Sequence, residues 1–137
     1  MEKYQAKLAL AGRALMSGVM FYAALFNIFN WTELVSLLVN LHVPMPELSL
    51  GAATALEIML GVPLLIGFQT RWAALLLAVY ILICAFALHP FWAAPLDRRP
   101  DEQMHFVESL AIAGGMLMAA AFGPGPISMD ARKSGSA

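Results

Sequence analysis

From Leu48 to Phe68 the chain reads LSLGAATALEIMLGVPLLIGF. The stretch is long enough to cross a bilayer, because a helix that spans a hydrocarbon core ~30 Å thick needs about 20 mainly apolar residues. One carboxylate, Glu57, lies close to its middle. An ionisable group at that depth is costly and is by default a candidate functional residue. The rest of the chain is therefore interpreted relative to Glu57.

Composition places the whole chain among membrane proteins. Hydrophobic residues make up 61% of the 137 residues, charged residues only 12%, and the mean hydropathy is +0.73. This length and composition predict an all-α membrane protein, a four-helix antiparallel transmembrane bundle that forms a single integral domain over residues 1–137. The bilayer is then its first partner. A net charge of -1 without a basic block argues against nucleic acid as a partner.

Four spans and one shorter helix follow from the pattern along the chain. The predicted spans are 8–29, 48–68, 72–89 and 104–122. Between the first two, residues 31–42 form an amphipathic segment too short and too polar to span, which we expect to lie at the membrane interface. Asn30 and Glu33 have the spacing of a capping box at its start. Glycine and proline after Phe122 stop the last span, and the tail to Ala137 is predicted to be short, polar and mobile.

Basic residues near the span ends predict the topology. With four spans, six of them share one side of the membrane and two lie on the other, which places both termini in the cytoplasm. The six are Lys3, Lys7, Arg13, Arg71, Arg132 and Lys133, and the two are Arg98 and Arg99.

The first span carries a polar stripe. Arg13, Ser17, Met20, Ala24 and Asn27 recur at helical spacing, so this face is predicted to point into the bundle. Two interpretations of Arg13 stay open, because its guanidinium can either snorkel back to the interface or pair with a buried carboxylate such as Glu57.

Titratable side chains gather toward the opposite end of the predicted bundle. His89 closes the third span and His105 opens the fourth, while Glu108 lies on the same helix face as His105. Glu57 lies beneath them, near mid-membrane. The arrangement predicts a polar pocket that opens outward, toward the periplasm or cell exterior.

Four interpretations of this cluster remain open on the residues alone. His89 and His105 at similar depth on adjacent helices have the arrangement of axial ligands to a b-type haem. With Glu108 they have the chemistry of a metal site. A quinone headgroup is the third, since histidine forms hydrogen bonds to its carbonyls and exchanges protons near pH 7. In the fourth, the three side chains are satisfied by water and lipid headgroups.

Several motifs resemble the DoxX family of small four-span bacterial membrane proteins, from Gly12 to Asp130. The similar stretches begin with GRALMSGVMFYAALFN in the first span. They continue with Glu57 and Gly61, the G-x-x-T-R turn that ends at Arg71, and the HPFW that starts at His89. The last is HFVESLAIAGGMLMAAAFGPGPISMD, with its paired glycines, GPG and S-x-D.

The resemblance implies a four-helix bundle in the bacterial inner membrane, in a family associated by name with quinol oxidase and thiosulfate:quinone oxidoreductase subunits. Glu57, Arg71 and His89 are carried over as functional positions. Family members often have lysine and asparagine where this chain has Glu108 and Ser109. That charge reversal sets the Glu108 position apart from the family pattern.

The main hypothesis is a redox-associated subunit that binds quinone or quinol between the spans. The catalytic candidates are Glu57 and His89, and no metal site is predicted. The ligand-binding candidates are Arg13, Arg71, His89, Trp92, His105 and Glu108. The alternatives are a non-catalytic membrane partner or assembly factor, a small transporter, and haem b held by the two histidines. A larger redox complex or a homo-oligomer is the expected protein partner.

Overall fold

The structure, a computed structural model, describes residues 2–134, and these form six helices. Four of the helices are long and apolar enough to cross a membrane, which confirms the predicted all-α class and the four spans. In chain order the helices are α1 (Glu2–Phe29), α2 (Trp31–Asn40), α3 (Pro46–Ile66), α4 (Thr70–Leu88), α5 (Arg99–Phe122) and α6 (Met129–Ser134).

The largest difference from the predicted bounds is at the start of α5. The helix begins at Arg99, not at residue 104, and so it takes in acidic residues that we had assigned to the preceding loop. Pro100 is compatible with the first turn of the helix, because N–H groups there have no intrahelical acceptor and proline's lack of an N–H costs no hydrogen bond. Asp101 and Glu102 also lie in this turn, where negative charge is favoured by the helix dipole. The charged segment is therefore a helix start, and it places Glu102 on the helix that carries His105.

The short helix α2 forms as predicted but without a capping box. No side chain caps its start, and the Asn30 side chain donates instead to the carbonyl of Phe26, at 2.9 Å. Leu38 is buried, and a Cβ added at Gly51 of α3 would lie 3.6 Å from the Trp31 ring. The helix thus packs against α3, while its location at the membrane interface stays a prediction.

A tight turn joins α3 to α4. Gly67 has φ +74° and Gln69 has φ +45°, so two of the connecting residues adopt the left-handed conformation. The N–H groups of Gly67 and Phe68 both donate to the carbonyl of Pro63, which closes α3. The chain reverses within this turn, so α3 and α4 are antiparallel neighbours.

Packing divides the bundle into two close helix pairs. Helix α4 packs mainly on α5, and α1 packs mainly on α3. The main contact between these two pairs is that of α3 with α4. The close approach of α4 depends on small side chains, because Ala74, Ala78 and Ala85 are fully buried. Leu64, Leu77 and Met116 fill the core around them; all three are fully buried. Large apolar side chains on the outer faces, such as Leu15 and Tyr22, are exposed in the isolated chain. In a bilayer these side chains contact lipid.

The chain after α5 is bound to the bundle, so the prediction of a mobile tail is wrong for residues 123–134. This segment, which we call the strap, crosses one end of the bundle. The N–H of Asp130 donates to the carbonyl of Gly67 at 2.9 Å, and Lys133 lies 4.5 Å from the centre of the Phe68 ring. Residues 135–137 of the predicted tail lie outside the described residues. The strap, the α3–α4 turn and Arg13 form what we call the strap end, and His89 and His105 mark the opposite, histidine end.

Candidate functional site

Glu57 is buried where three helices meet. Only 4% of it is exposed, and both carboxylate oxygens accept a hydrogen bond. The Tyr80 hydroxyl on α4 donates to Oε1 at 2.6 Å, and the Asn27 amide on α1 donates to Oε2 at 3.1 Å. A carboxylate inside a membrane bundle needs such donors, since no bulk water is present to solvate it. Glu57 therefore links α1, α3 and α4 at mid-bundle.

Thr54 extends this hydrogen-bonded group, which we call the Glu57 cluster: Asn27, Thr54, Glu57 and Tyr80. The Asn27 Nδ2 group also donates to Thr54 Oγ1 at 3.2 Å. The Thr54 hydroxyl hydrogen in turn goes to the carbonyl of Leu50, one helical turn earlier, at 2.8 Å. Every polar side chain of the cluster thus has a partner, and the cluster fixes the relative depth of three spans.

Arg13 is not a partner of Glu57. It is buried on the predicted polar stripe, together with Ser17, Met20 and Ala24, which confirms that this face points into the bundle. However, the Arg13 Nη2 group donates to the carbonyl of Ile127 in the strap. Asn27, which does contact Glu57, lies about 21 Å further along α1 at 1.5 Å per residue. Pairing with Glu57 is therefore wrong. The guanidinium is held by protein at the strap end, and its snorkelling to the membrane interface stays a prediction.

The two histidines of the opposite end are in contact. The ring centres of His89 and His105 are 5.3 Å apart, and the planes are tilted by 40°. His89 Nδ1 lies 2.9 Å from Glu102 Oε2, and His105 Nδ1 lies 3.3 Å from Glu108 Oε2. Each imidazole therefore has a carboxylate on one nitrogen and its other nitrogen, Nε2, available to a ligand. The His105 and Glu108 side chains are more than half exposed, whereas His89 and Glu102 are about 30% exposed.

Four aromatic rings pack on one another at the same end of the bundle, and one of them belongs to the predicted ligand residue Trp92. Phe106 forms edge-to-face contacts with Phe86 at 5.1 Å, Phe91 at 5.4 Å and Trp92 at 5.9 Å between ring centres. Such contacts are favoured by the ring quadrupoles and hold the rings in defined orientations. We call the four rings the aromatic cluster. The cluster is adjacent to the two histidines in the sequence, since Phe91 is two residues after His89 and Phe106 directly follows His105.

The predicted ligand residues do not form one site. Arg71 is at the start of α4, and a Cβ on Gly123 of the strap would lie 3.3 Å from its Nε. His89 follows the last residue of the same helix, about 27 Å away along the axis. Arg13 and Arg71 therefore belong to the strap end, and only His89, Trp92, His105 and Glu108 come together at the histidine end. Glu57 lies between the two ends.

Two partners in these clusters were not identified from the sequence. Tyr80 forms the shorter of the two hydrogen bonds to Glu57. Its hydroxyl, a polar group in an apolar span, was the sequence feature that could have identified it. Glu102 binds His89, and its spacing of three residues before His105 places both on one face of α5. The predicted bounds leave Glu102 in a loop, where a spacing of three residues does not indicate a shared helix face.

The metal and haem alternatives make different demands on these side chains. Within residues 2–134, no group of three or more histidine, cysteine or acidic side chains is arranged to hold a metal ion. Binding of a b-type haem by His89 and His105 stays a prediction. It would require the two rings to move apart, because the macrocycle lies between its axial ligands.

Comparison with known proteins gives one family and several relatives. The sequence profile of DoxX matches residues 8–90. Inner membrane protein YphA of Escherichia coli is 32% identical over 114 residues, which cover 79% of this chain and 81% of that protein. Inner membrane protein YqjF of the same organism is 35% identical over 85 residues, 62% of each chain.

A eukaryotic protein is similar over a shorter part. The Surfeit locus protein 4 homolog of Schizosaccharomyces pombe is 31% identical over 70 residues, half of this chain but only 23% of that protein. No solved structure gives a significant match.

Proposed function

Since the chain belongs to the DoxX family of membrane proteins, we propose that it is an inner-membrane subunit that binds a quinone or quinol headgroup at the histidine end of its bundle. The observation that supports this most is the contact between His89 and His105 beside the aromatic cluster. Quinones are planar rings with two hydrogen-bond acceptors, and an aromatic surface with imidazole nitrogens matches both properties.

The carboxylates behind the histidines suit proton exchange with a quinol. With Nδ1–H directed at Glu102, the Nε2 atom of His89 is an acceptor and takes a proton from a quinol hydroxyl. The resulting imidazolium is stabilised by Glu102 and donates the proton back to a quinone carbonyl in the reverse direction. His105 and Glu108 repeat the arrangement one ring away. The two imidazoles thus supply two exchange sites for two protons.

The Glu57 cluster has a separate part in the proposal. Tyr80 lies about 14 Å from His89 along α4, so Glu57 does not touch a headgroup bound at the histidine end. Its carboxylate, with a tyrosine hydroxyl on one oxygen, relays protons within the bundle. The electrons pass to or from a larger redox complex, of which this chain is the quinone-binding partner.

Orientation is part of the same proposal. Lys7, Arg71 and Arg132 all lie at the strap end, so we assign that end and both termini to the cytoplasm of the inner membrane. The histidine end then faces the periplasm. A reporter active only in the cytoplasm, fused after Ala137, is expected to be active, and a reporter active only in the periplasm to be inactive. The opposite pattern would contradict this orientation.

The binding proposal is tested on protein purified from membranes. We expect solvent extraction to recover quinone from the wild type and to recover much less from His89→Ala. Glu57→Gln is expected to keep the quinone and to slow quinol turnover by the parent complex. His42→Asn is a matched control, since His42 is exposed, distant in sequence from the site and has φ +57°, which asparagine tolerates.

Two other outcomes would replace the proposal. If the wild type retains no quinone and neither variant changes turnover, the quinone-binding role is wrong, and a non-catalytic membrane partner is favoured. A haem band in a dithionite-reduced minus oxidised spectrum, lost in His89→Ala, would favour the haem alternative instead.

A further inference from the structure

The strap places a carboxylate on the N-terminus of α4. Asp130 Oδ1 accepts from the Gln69 N–H at 2.9 Å, and Asp130 Oδ2 accepts from the Thr70 N–H at 3.1 Å. The first N–H groups of a helix have no intrahelical partner, and the helix dipole adds positive potential there. The α4 N-terminus therefore holds an oxyanion in this structure, and the chain itself supplies it.

Arg13 adds a buried positive charge to the same place. It is 3% exposed, and a Cβ on Gly67 would overlap with its Nη1 group, so the guanidinium lies directly on the α3–α4 turn. Nη2 donates to the carbonyl of Ile127, while Nε and Nη1 have no hydrogen-bond partner among residues 2–134. An unpartnered buried guanidinium N–H is costly, and the ligand that suits it best is an oxyanion.

Two hydroxyl groups complete the polar surroundings. Ser17 and Thr70 are fully buried, and the oxygens of both side chains lack a hydrogen-bond partner within the part of the chain that the structure describes. Ser17 is one helical turn after Arg13 on the same face of α1, and Thr70 is the first residue of α4. Buried polar groups of α1, α4 and the turn between α3 and α4 thus lie close to the strap contact, and the Asp130 carboxylate accepts hydrogen bonds from the Gln69 and Thr70 N–H groups among them.

We propose that the α4 N-terminus and Arg13 form an oxyanion-binding site for a phosphate group, and that Asp130 occupies it as a built-in ligand. In the closed arrangement the strap carboxylate excludes other anions. When the strap detaches, the Gln69 and Thr70 N–H groups, the Arg13 guanidinium and the Thr70 hydroxyl become available to a phosphate. The phosphate is either free or part of an anionic phospholipid headgroup, since the two share the chemistry that the site recognises. This proposal does not depend on quinone binding.

The test uses the full chain in an uncharged maltoside detergent, titrated with inorganic phosphate at constant ionic strength set by chloride. The signals are the backbone amide resonances of Gln69 and Thr70. In Asp130→Ala we expect saturable shifts, with an apparent affinity at least tenfold higher than in the wild type, because the competing carboxylate is gone. Thr70→Val in the Asp130→Ala background is expected to weaken binding, whereas Thr32→Val on the exposed face of α2 leaves it unchanged.

Stability gives a second readout in case Asp130→Ala unfolds in chloride. A ligand that binds only the folded state raises its unfolding midpoint, so phosphate is expected to raise the midpoint of Asp130→Ala more than that of the wild type. Adding Arg13→Gln is expected to abolish this difference. The proposal is overturned if phosphate affects Asp130→Ala and the wild type equally in both readouts, or if the effect survives Arg13→Gln.

Lipid nanodiscs distinguish the two sources of phosphate. If the headgroup is the ligand, the Thr70 resonance of Asp130→Ala differs between phosphatidylglycerol and phosphatidylcholine nanodiscs without added phosphate. If free phosphate is the ligand, the resonance is the same in both nanodiscs and shifts only on titration. Either result supports the site, and no shift in any of these conditions contradicts it.

Discussion

The Tyr80 hydroxyl donates to Glu57 across the α3–α4 contact at 2.6 Å, and this bond joins the two helix pairs of the bundle at mid-membrane. Because α4 packs mainly on α5 and α3 mainly on α1, a hydrogen bond between α3 and α4 sets the depth of one helix pair relative to the other. The Asn27 amide on α1 holds the second oxygen of the same carboxylate at 3.1 Å.

Removal of the Tyr80 hydroxyl is expected to destabilise the bundle. Tyr80→Phe keeps the ring and leaves one oxygen of Glu57 without its donor, at a cost of about 1–2 kcal/mol in the free energy of unfolding. Chemical unfolding in mild detergent measures this. Tyr22→Phe is the matched control, because the Tyr22 ring is 70% exposed on α1 and its loss of a hydroxyl is expected to cost nothing measurable. Equal effects of the two substitutions would rule out the role given to Tyr80.

A double-mutant cycle isolates the contact itself. Glu57→Gln replaces one carboxylate oxygen by an NH2 group, which cannot accept the hydrogen bond that Tyr80 or Asn27 donates. We therefore expect this substitution to destabilise the protein on its own. If the two side chains interact as described, Tyr80→Phe costs less in the Glu57→Gln background, with a coupling energy of about 1 kcal/mol. Additive effects of the two substitutions would show that the bond contributes no stability.

Glycine positions test the packing of α1 on α3. A Cβ on Gly61 would lie 2.9 Å from Cε1 of Phe21, so Gly61→Ala forces that ring to move and is expected to destabilise the protein by about 1 kcal/mol or more. Gly114→Ala on α5 meets no atom within 4 Å and is expected to stabilise the helix by about 0.5–1 kcal/mol. Thermal unfolding of the two variants compares them directly. The same sign for both would contradict this packing.

The spans were predictable from the sequence because length and apolar composition specify a transmembrane helix almost without context. The inward face of α1 was predictable too, since Arg13, Ser17 and Asn27 recur at helical spacing. Their partners were not, because pairing depends on the relative depth of two helices, which no single span encodes. Pairing with Glu57 was one of two interpretations of Arg13, whereas its actual partner is a backbone carbonyl of the strap.

Local chemistry that the sequence did contain was misread at two places. Asp130 belongs to the tail that the sequence predicts to be mobile, although its carboxylate is the side-chain type that satisfies the N–H groups at a helix start. The predicted start of the fourth span at residue 104 leaves Glu102 in a loop, whereas α5 begins at Arg99. In both cases a polar residue that the sequence predicts to lie at the surface forms a hydrogen bond to a specific partner.

The central claim is that the histidine end binds a quinone headgroup, and the most direct measurement is a binding titration. A short-chain ubiquinone is added to purified protein in detergent, and quenching of tryptophan fluorescence is followed, since Trp92 belongs to the aromatic cluster. The account predicts saturable binding by the wild type and by His42→Asn, and at least tenfold weaker binding by His89→Ala. The absence of saturable binding by the wild type, or equal affinities for all three proteins, would contradict it.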